Sequence, residues 1–141
     1  MRASDGLVAS LRMHEGFRSE PYKDTVGKLT IGYGTNLHTL RVTEQEAEYW
    51  LRRRLDENER RLRQIPEFRQ LDPVRQDVLR EAAYQLGVTG LTAFRRMWAA
   101  LEDGNYTRAA MEMMDSKVAR EQAPARWSVL ARRMKTGTWE Q

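Results

Sequence analysis

Three oxygen-bearing side chains, Glu15, Asp24 and Thr30, lie in one short window near the N-terminus. The window is HEGFRSEPYKDTVGKLTIGYG, His14 to Gly34, with eight residues between the glutamate and the aspartate and five between the aspartate and the threonine. Such a set suits hydrolysis of a glycosidic bond, which needs an acid to protonate the leaving oxygen and a second group to support attack. In the inverting form the second group positions or deprotonates a water, and the carboxyl groups stand roughly 6.5–9.5 Å apart to make room. Glu15 falls at a predicted helix C-terminus, where the dipole's negative end disfavours an ionised carboxylate and partial burial acts in the same direction. Asp24 falls in a turn, solvated and ionised, and Thr30 lies on the strand that follows, able to offer its hydroxyl to the same water. A glutamate ending a helix and an aspartate making a turn fit the same residues without any chemistry, so the surrounding elements carry the next step.

Leu7, Val8 and Leu11 repeat at helical spacing behind Ser4 and Asp5, and this first helix is expected to stop near Gly16. From Phe17 to Gly34 turn residues separate short β-prone pieces, which predicts a small antiparallel sheet. TEQE at Thr43 to Glu46 is a capping box. Behind it Ala47, Leu51, Leu55, Leu62 and Ile65 make one narrow apolar stripe along a long connecting helix, which Pro66 is expected to end. LDPVRQDVLREAAYQLG gives a core helix with Asp72 as cap, Pro73 in the first turn and Gly87 as the stop. Shorter helices are expected over 93–103, 106–114, around 116–120 and over 124–134.

The chain has 141 residues, 40% hydrophobic and 31% charged, which is one domain's worth of soluble, globular composition. It contains no cysteine, so disulfides are excluded, and with only two histidines, His14 and His38, no metal centre is expected. Neither a signal-peptide core nor an apolar run of ~20 residues is present. The net charge is +4, and from Lys117 onward six basic residues against two acidic ones carry all of it. That bias points to an anionic partner, an envelope polymer, membrane surface or nucleic acid, unless the charges are only a solvated helix face.

The pattern E-G-x-R-x-x-x-Y-x-D-x-x-G-x-x-T-I-G-x-G resembles the active-site signature of phage lysozymes of the T-even type, glycoside hydrolase family 24, and reproduces both of its gaps. YQLGVTGLTAF at Tyr84 to Phe94, QAPARW at Gln122 to Trp127 and TGTWE near the C-terminus also resemble family segments, in the right order. The resemblance implies a predominantly helical α+β, two-lobed lysozyme-like domain. Its β-containing lobe would cover about 15–42 and its connecting helix about 44–65, with a helical lobe over about 72–141 to which the first helix, 4–15, returns. It implies a muramidase of bacterial peptidoglycan, monomeric and without metal or cofactor, in which Glu15 is the general acid and Asp24 and Thr30 hold the attacking water. Arg126 would reach back to Glu15 and favour its ionised form, against the dipole and burial. Asn36, Tyr84, Gln85, Met97 and Glu112 would contact substrate. The setting it implies is lysis of a host bacterium from its cytoplasm, through a holin or similar pore. The chain departs from the pattern at Thr35, where the T-even enzyme carries histidine, and at Met97 and Glu112, which replace smaller or amide side chains.

Three other readings compete. REAAYQLGVTGLTAFRRMW has the look of a helix-turn-helix with Arg95 and Arg96 on its second helix. Against it, Gly90 lengthens the turn, and Phe94, Met97, Trp98 and Leu101 commit that helix to a core, so no specific nucleic-acid partner is expected. GYG at Gly32 to Gly34 hints at a phosphate loop but lacks the third glycine and the following helix, which leaves hairpin glycines. A catalytically inactive wall-binding module is disfavoured by the presence of all three oxygen-bearing residues.

Overall fold

The computed structural model describes residues 2–140, and the chain divides into two compact units, Met1–Ala47 and Glu48–Gln141. It is predominantly helical with one small antiparallel sheet, the α+β class expected from the sequence.

In the first unit, helix α1 (Asp5–Glu15) begins where the Ser4 hydroxyl accepts the Leu7 N–H at 3.2 Å, and it ends at Gly16 as expected. Strands β1 (Arg18–Lys23), β2 (Leu29–Gly32) and β3 (Thr35–Asn36) follow as an antiparallel sheet in the order β1-β2-β3. Tyr22 pairs with Thr30, and Thr30 with Asn36, so these three side chains share one face of the sheet. The register shifts between Arg18 and Tyr22, an interval containing Pro21, which has no N–H to give the ladder.

Helix α2 (Glu44–Leu62) starts on the predicted capping box: Thr43 Oγ1 accepts the Glu46 N–H at 3.1 Å, and Glu46 Oε1 accepts the Thr43 N–H at 3.0 Å. The Thr43 N–H holds the Glu46 carboxyl below its ordinary pKa, with the Thr43 side chain adding to the effect. Of the α2 residues only Leu62 is buried. Pro66 does not end α2, as the sequence led us to expect; α2 stops at Leu62, and Pro66 opens a short helix α3 (Pro66–Arg69). Proline is preorganised for a first helical turn, where its missing N–H costs nothing.

The second unit is built on α4 (Pro73–Thr92), α5 (Arg95–Glu102), α6 (Tyr106–Met114), a π-helical turn over Val118–Gln122, and α7 (Pro124–Thr136). Asp72 caps α4, accepting the Arg75 N–H at 3.2 Å. Gly87 breaks α4 at φ 77° and ψ 156°, so the predicted stop is there, but the chain re-enters helix and continues to Thr92. Trp127 is fully buried among Leu62, Phe68, Leu79, Leu91, Met97, Met113, Leu130 and Met134, and stacks on Phe94 with ring centroids 5.7 Å apart. Truncating so large a core side chain to alanine costs about 3–5 kcal/mol. At the end of α7, Arg75 donates to the carbonyls of Met134 at 2.6 Å and Lys135 at 3.1 Å, placing a cation where the helix dipole is negative.

Candidate active site

Glu15 is the last residue of α1, and the turn between β2 and β3 stands opposite it. The approach is close: a β-carbon on Gly34 would lie 2.7 Å from Glu15 Oε2. Glu15 is exposed, so the partial burial considered for it is not supplied by its own unit.

Asp24 follows β1 directly and organises the β1–β2 turn. Its Oδ1 accepts the N–H of Lys28 at 2.7 Å and of Val26 at 3.0 Å, while its backbone N–H donates to the Lys28 carbonyl at 2.9 Å. Among the described residues no hydrogen bond engages the second oxygen, Oδ2. One oxygen is thus spent on holding the turn and the other is left uncommitted. The aspartate that makes a turn and the aspartate that does chemistry are compatible in one side chain.

Thr30, on the central strand, is 4% exposed and donates its hydroxyl to the Lys28 carbonyl at 2.9 Å. With its proton committed, Oγ1 can serve only as an acceptor towards a water. Lys28 ties the two residues together, since its N–H meets Asp24 and its carbonyl meets Thr30. Asn36 is Thr30's neighbour on β3, and its Oδ1 accepts the His38 N–H at 2.8 Å. The first unit therefore places Thr30 and Asn36 on one face of the sheet and joins Asp24 to Thr30 through Lys28.

The other five expected site residues all belong to the second unit. Met97 is buried and, with Phe94, Arg95, Glu112 and Lys117, lines a cavity of about 400 Å³. Glu112, only 16% exposed in its side chain, pairs with Arg108 at 3.4 Å on α6. Gln85 Oε1 accepts the indole N–H of the buried Trp127 at 2.9 Å, a structural bond joining α4 to α7. Tyr84 lies under the Arg54 guanidinium, 4.8 Å from the ring centre. Arg126, at the start of α7, donates to Glu81 Oε2 at 3.0 Å, and both line a second hollow with Tyr84. Each partner of that ion pair is about 40% exposed, so it contributes no more than ~1 kcal/mol.

Sequence reasoning missed three contributors: Glu81 as partner of Arg126, Arg12 bonded to Tyr33, and the wall that Gly34 makes for Glu15. Only the last left a signal, because a second glycine within three residues of Gly32 marks a turn that comes close to something. The glycines of GYG are turn residues, with φ 68° at Gly32 and 81° at Gly34. In the stretch that resembled a helix-turn-helix, α5 buries Met97, Ala100 and Leu101 in the core, the commitment read from the sequence.

No helix among the described residues is long and apolar enough to cross a membrane, and no cluster of metal-ligating side chains occurs among them. The family model for phage lysozyme matches residues 12–136, which contain Glu15, Asp24 and Thr30 and cover most of both units. The chain belongs to the phage lysozyme family, glycoside hydrolases that degrade bacterial peptidoglycan.

Proposed function

We propose that the protein is an endolysin: a muramidase that hydrolyses the β-1,4 bond between N-acetylmuramic acid and N-acetylglucosamine, with inversion. Glu15 protonates the departing glycosidic oxygen. Asp24 and Thr30 hold the water on the opposite face of the sugar, Asp24 as the base and Thr30 through a lone pair of Oγ1. The observation that carries this reading is the joint anchoring of Asp24 and Thr30 on Lys28, which leaves Asp24 Oδ2 and Thr30 Oγ1 available as acceptors. Arg126 is the proposed ionic partner of the acid, and Asn36, Tyr84, Gln85, Met97 and Glu112 are proposed to line the path of the glycan. The enzyme acts as a monomer during host lysis and leaves the host cytoplasm through a holin or similar pore. Its basic C-terminal stretch concentrates it on anionic envelope polymers.

The test is clearing of outer-membrane-permeabilised Gram-negative cells, together with new reducing ends on purified peptidoglycan. Binding without reducing ends would mean an inactive wall-binding module and would overturn the enzymatic reading. Glu15→Gln keeps the shape but removes the transferable proton, so turnover falls by at least ~10²-fold. Attack by a held water delivers the α-anomer first. A β-anomer seen by proton NMR before mutarotation would make Asp24 a covalent nucleophile and sink the water mechanism.

A further inference from the structure

Arg12 and Tyr33 meet 21 residues apart in sequence, on the two elements that flank Glu15. Arg12 Nε donates to Tyr33 Oη at 3.0 Å, and its guanidinium carbon lies 5.5 Å from the centre of the same ring. The ring also packs against Phe17, with centroids 5.6 Å apart and planes inclined by 51°. On the helix side, the Arg12 carbonyl accepts the Gly16 N–H at 3.0 Å, the bond that closes the final turn of α1. Arg12 therefore closes the turn that carries Glu15 with its backbone and fastens it to the β2–β3 turn with its side chain. On that same turn Gly34, the residue after Tyr33, faces the Glu15 carboxylate.

We propose that Arg12 and Tyr33 form a positioning pair for Glu15, holding the last turn of α1 against the β2–β3 turn so that the carboxyl is presented in one setting. The inference rests on the reading of Glu15 as the acid. Among the described residues of its own unit no hydrogen bond fixes the Glu15 carboxylate, so within that unit its placement depends on the backbone beneath it and the wall opposite. The pair controls both. A planar guanidinium that donates through Nε while lying over the acceptor's ring constrains direction as well as distance, which a lysine ammonium cannot do. Neither residue touches the reacting bond; each acts through Glu15.

Tyr33→Phe tests this with little disturbance, because it removes only Oη and leaves the ring on Phe17 and under Arg12. Loss of one solvent-accessible hydrogen bond from the alignment of the acid lowers kcat by about two- to tenfold, with KM on soluble peptidoglycan fragments and the thermal midpoint unchanged. Arg12→Lys gives a similar loss, and the double variant is no worse than the poorer single one, since both changes remove the same bond. An unchanged kcat in Tyr33→Phe, a loss that appears in KM or in the thermal midpoint instead, or additive losses in the double variant would overturn the positioning role. Glu15→Gln in the same assay separates the two levels. A dead Glu15→Gln beside a fully active Tyr33→Phe overturns the pair alone. A Glu15→Gln as active as the parent overturns the assignment of the acid, and the pair with it.

Discussion

Gly34 and the Glu15 carboxylate share a space with no room for another carbon: a β-carbon on Gly34 would stand 2.7 Å from Oε2 and 3.3 Å from the carboxyl carbon. Gly34 also has φ 81°, which side-chain-bearing residues rarely adopt. In Gly34→Ala the carboxylate is the movable partner, so it swings away while the turn stays. A displacement on the order of 1 Å in a catalytic group costs ~10²-fold in turnover. The left-handed strain costs about 1–2 kcal/mol in stability. Steady-state kinetics and urea denaturation of the same variant read the two effects separately, and an undiminished kcat would mean that Gly34 does not set the acid's position.

Asp24 holds its turn through Oδ1 and is proposed to act as the base through Oδ2, and substitutions can divide the two roles. Asparagine retains an acceptor at Oδ1 for the Val26 and Lys28 N–H groups but removes the base, so Asp24→Asn is expected to lose turnover at nearly unchanged stability. Alanine removes both functions and leaves two N–H groups to find water, adding a stability loss of about 1–2 kcal/mol. Thermal unfolding of the two variants beside their rates checks the division; equal destabilisation would show that the turn does not depend on that acceptor.

How much of this was legible in the sequence depended on the range of the interaction. Helix ends set by neighbours could be read: Ser4 before α1, Thr43 with Glu46 before α2, and Asp72 with Pro73 before α4. Pro66 was misread because proline stops one helix and starts another with equal ease, and only the turn at Leu62 to Ile65 decides between them. The spacing of Glu15, Asp24 and Thr30 gave the inventory of the proposed site. It did not show that Thr30 spends its proton on Lys28, that Gln85 is tied to Trp127 across 42 residues, or that Arg126 pairs with Glu81 across 45. Those bonds join residues that no local pattern relates.

The charge cluster joining α2 to α4 gives the protein an acid-sensitive element. Arg80 grips Glu59 through both its oxygens at 2.7 and 2.8 Å and Asp77 at 2.9 Å, while Arg63 reaches Glu59 at 2.8 Å. Hydrogen bonding from Arg80 holds the Glu59 carboxyl below its ordinary range, and partial burial only partly opposes it. A depressed native pKa stabilises the fold above the unfolded pKa of about 4.3, and that stabilisation is lost as pH falls through the native value. Glu59→Gln is therefore less stable than the parent at pH 7, and the gap narrows as pH falls below the unfolded value of about 4.3 and closes below the depressed native one. Denaturation midpoints of both proteins from pH 3 to 7 test it, and a gap independent of pH would assign the effect to packing.

Not every basic residue of the C-terminal stretch is free to meet a polyanion. Arg133 is half-buried, lies 4.4 Å from the centre of the Trp139 ring, and has a buried Nε, so reversing its charge would disturb packing. Arg132 and Lys135 are exposed on α7, where they border an open groove with Met111 and Met114 of α6. If electrostatic attraction to envelope polymers raises the local concentration of enzyme, it acts over ~8 Å at physiological ionic strength and fades as salt is added. The double variant Arg132→Glu, Lys135→Glu should then clear whole permeabilised cells more slowly and lose the parent's salt dependence. Its rate on small soluble muropeptides, which carry too little charge to be concentrated, should stay the same. Equal loss on both substrates would place the damage in folding or catalysis, and unchanged clearing of cells would leave these charges as a solvated helix face.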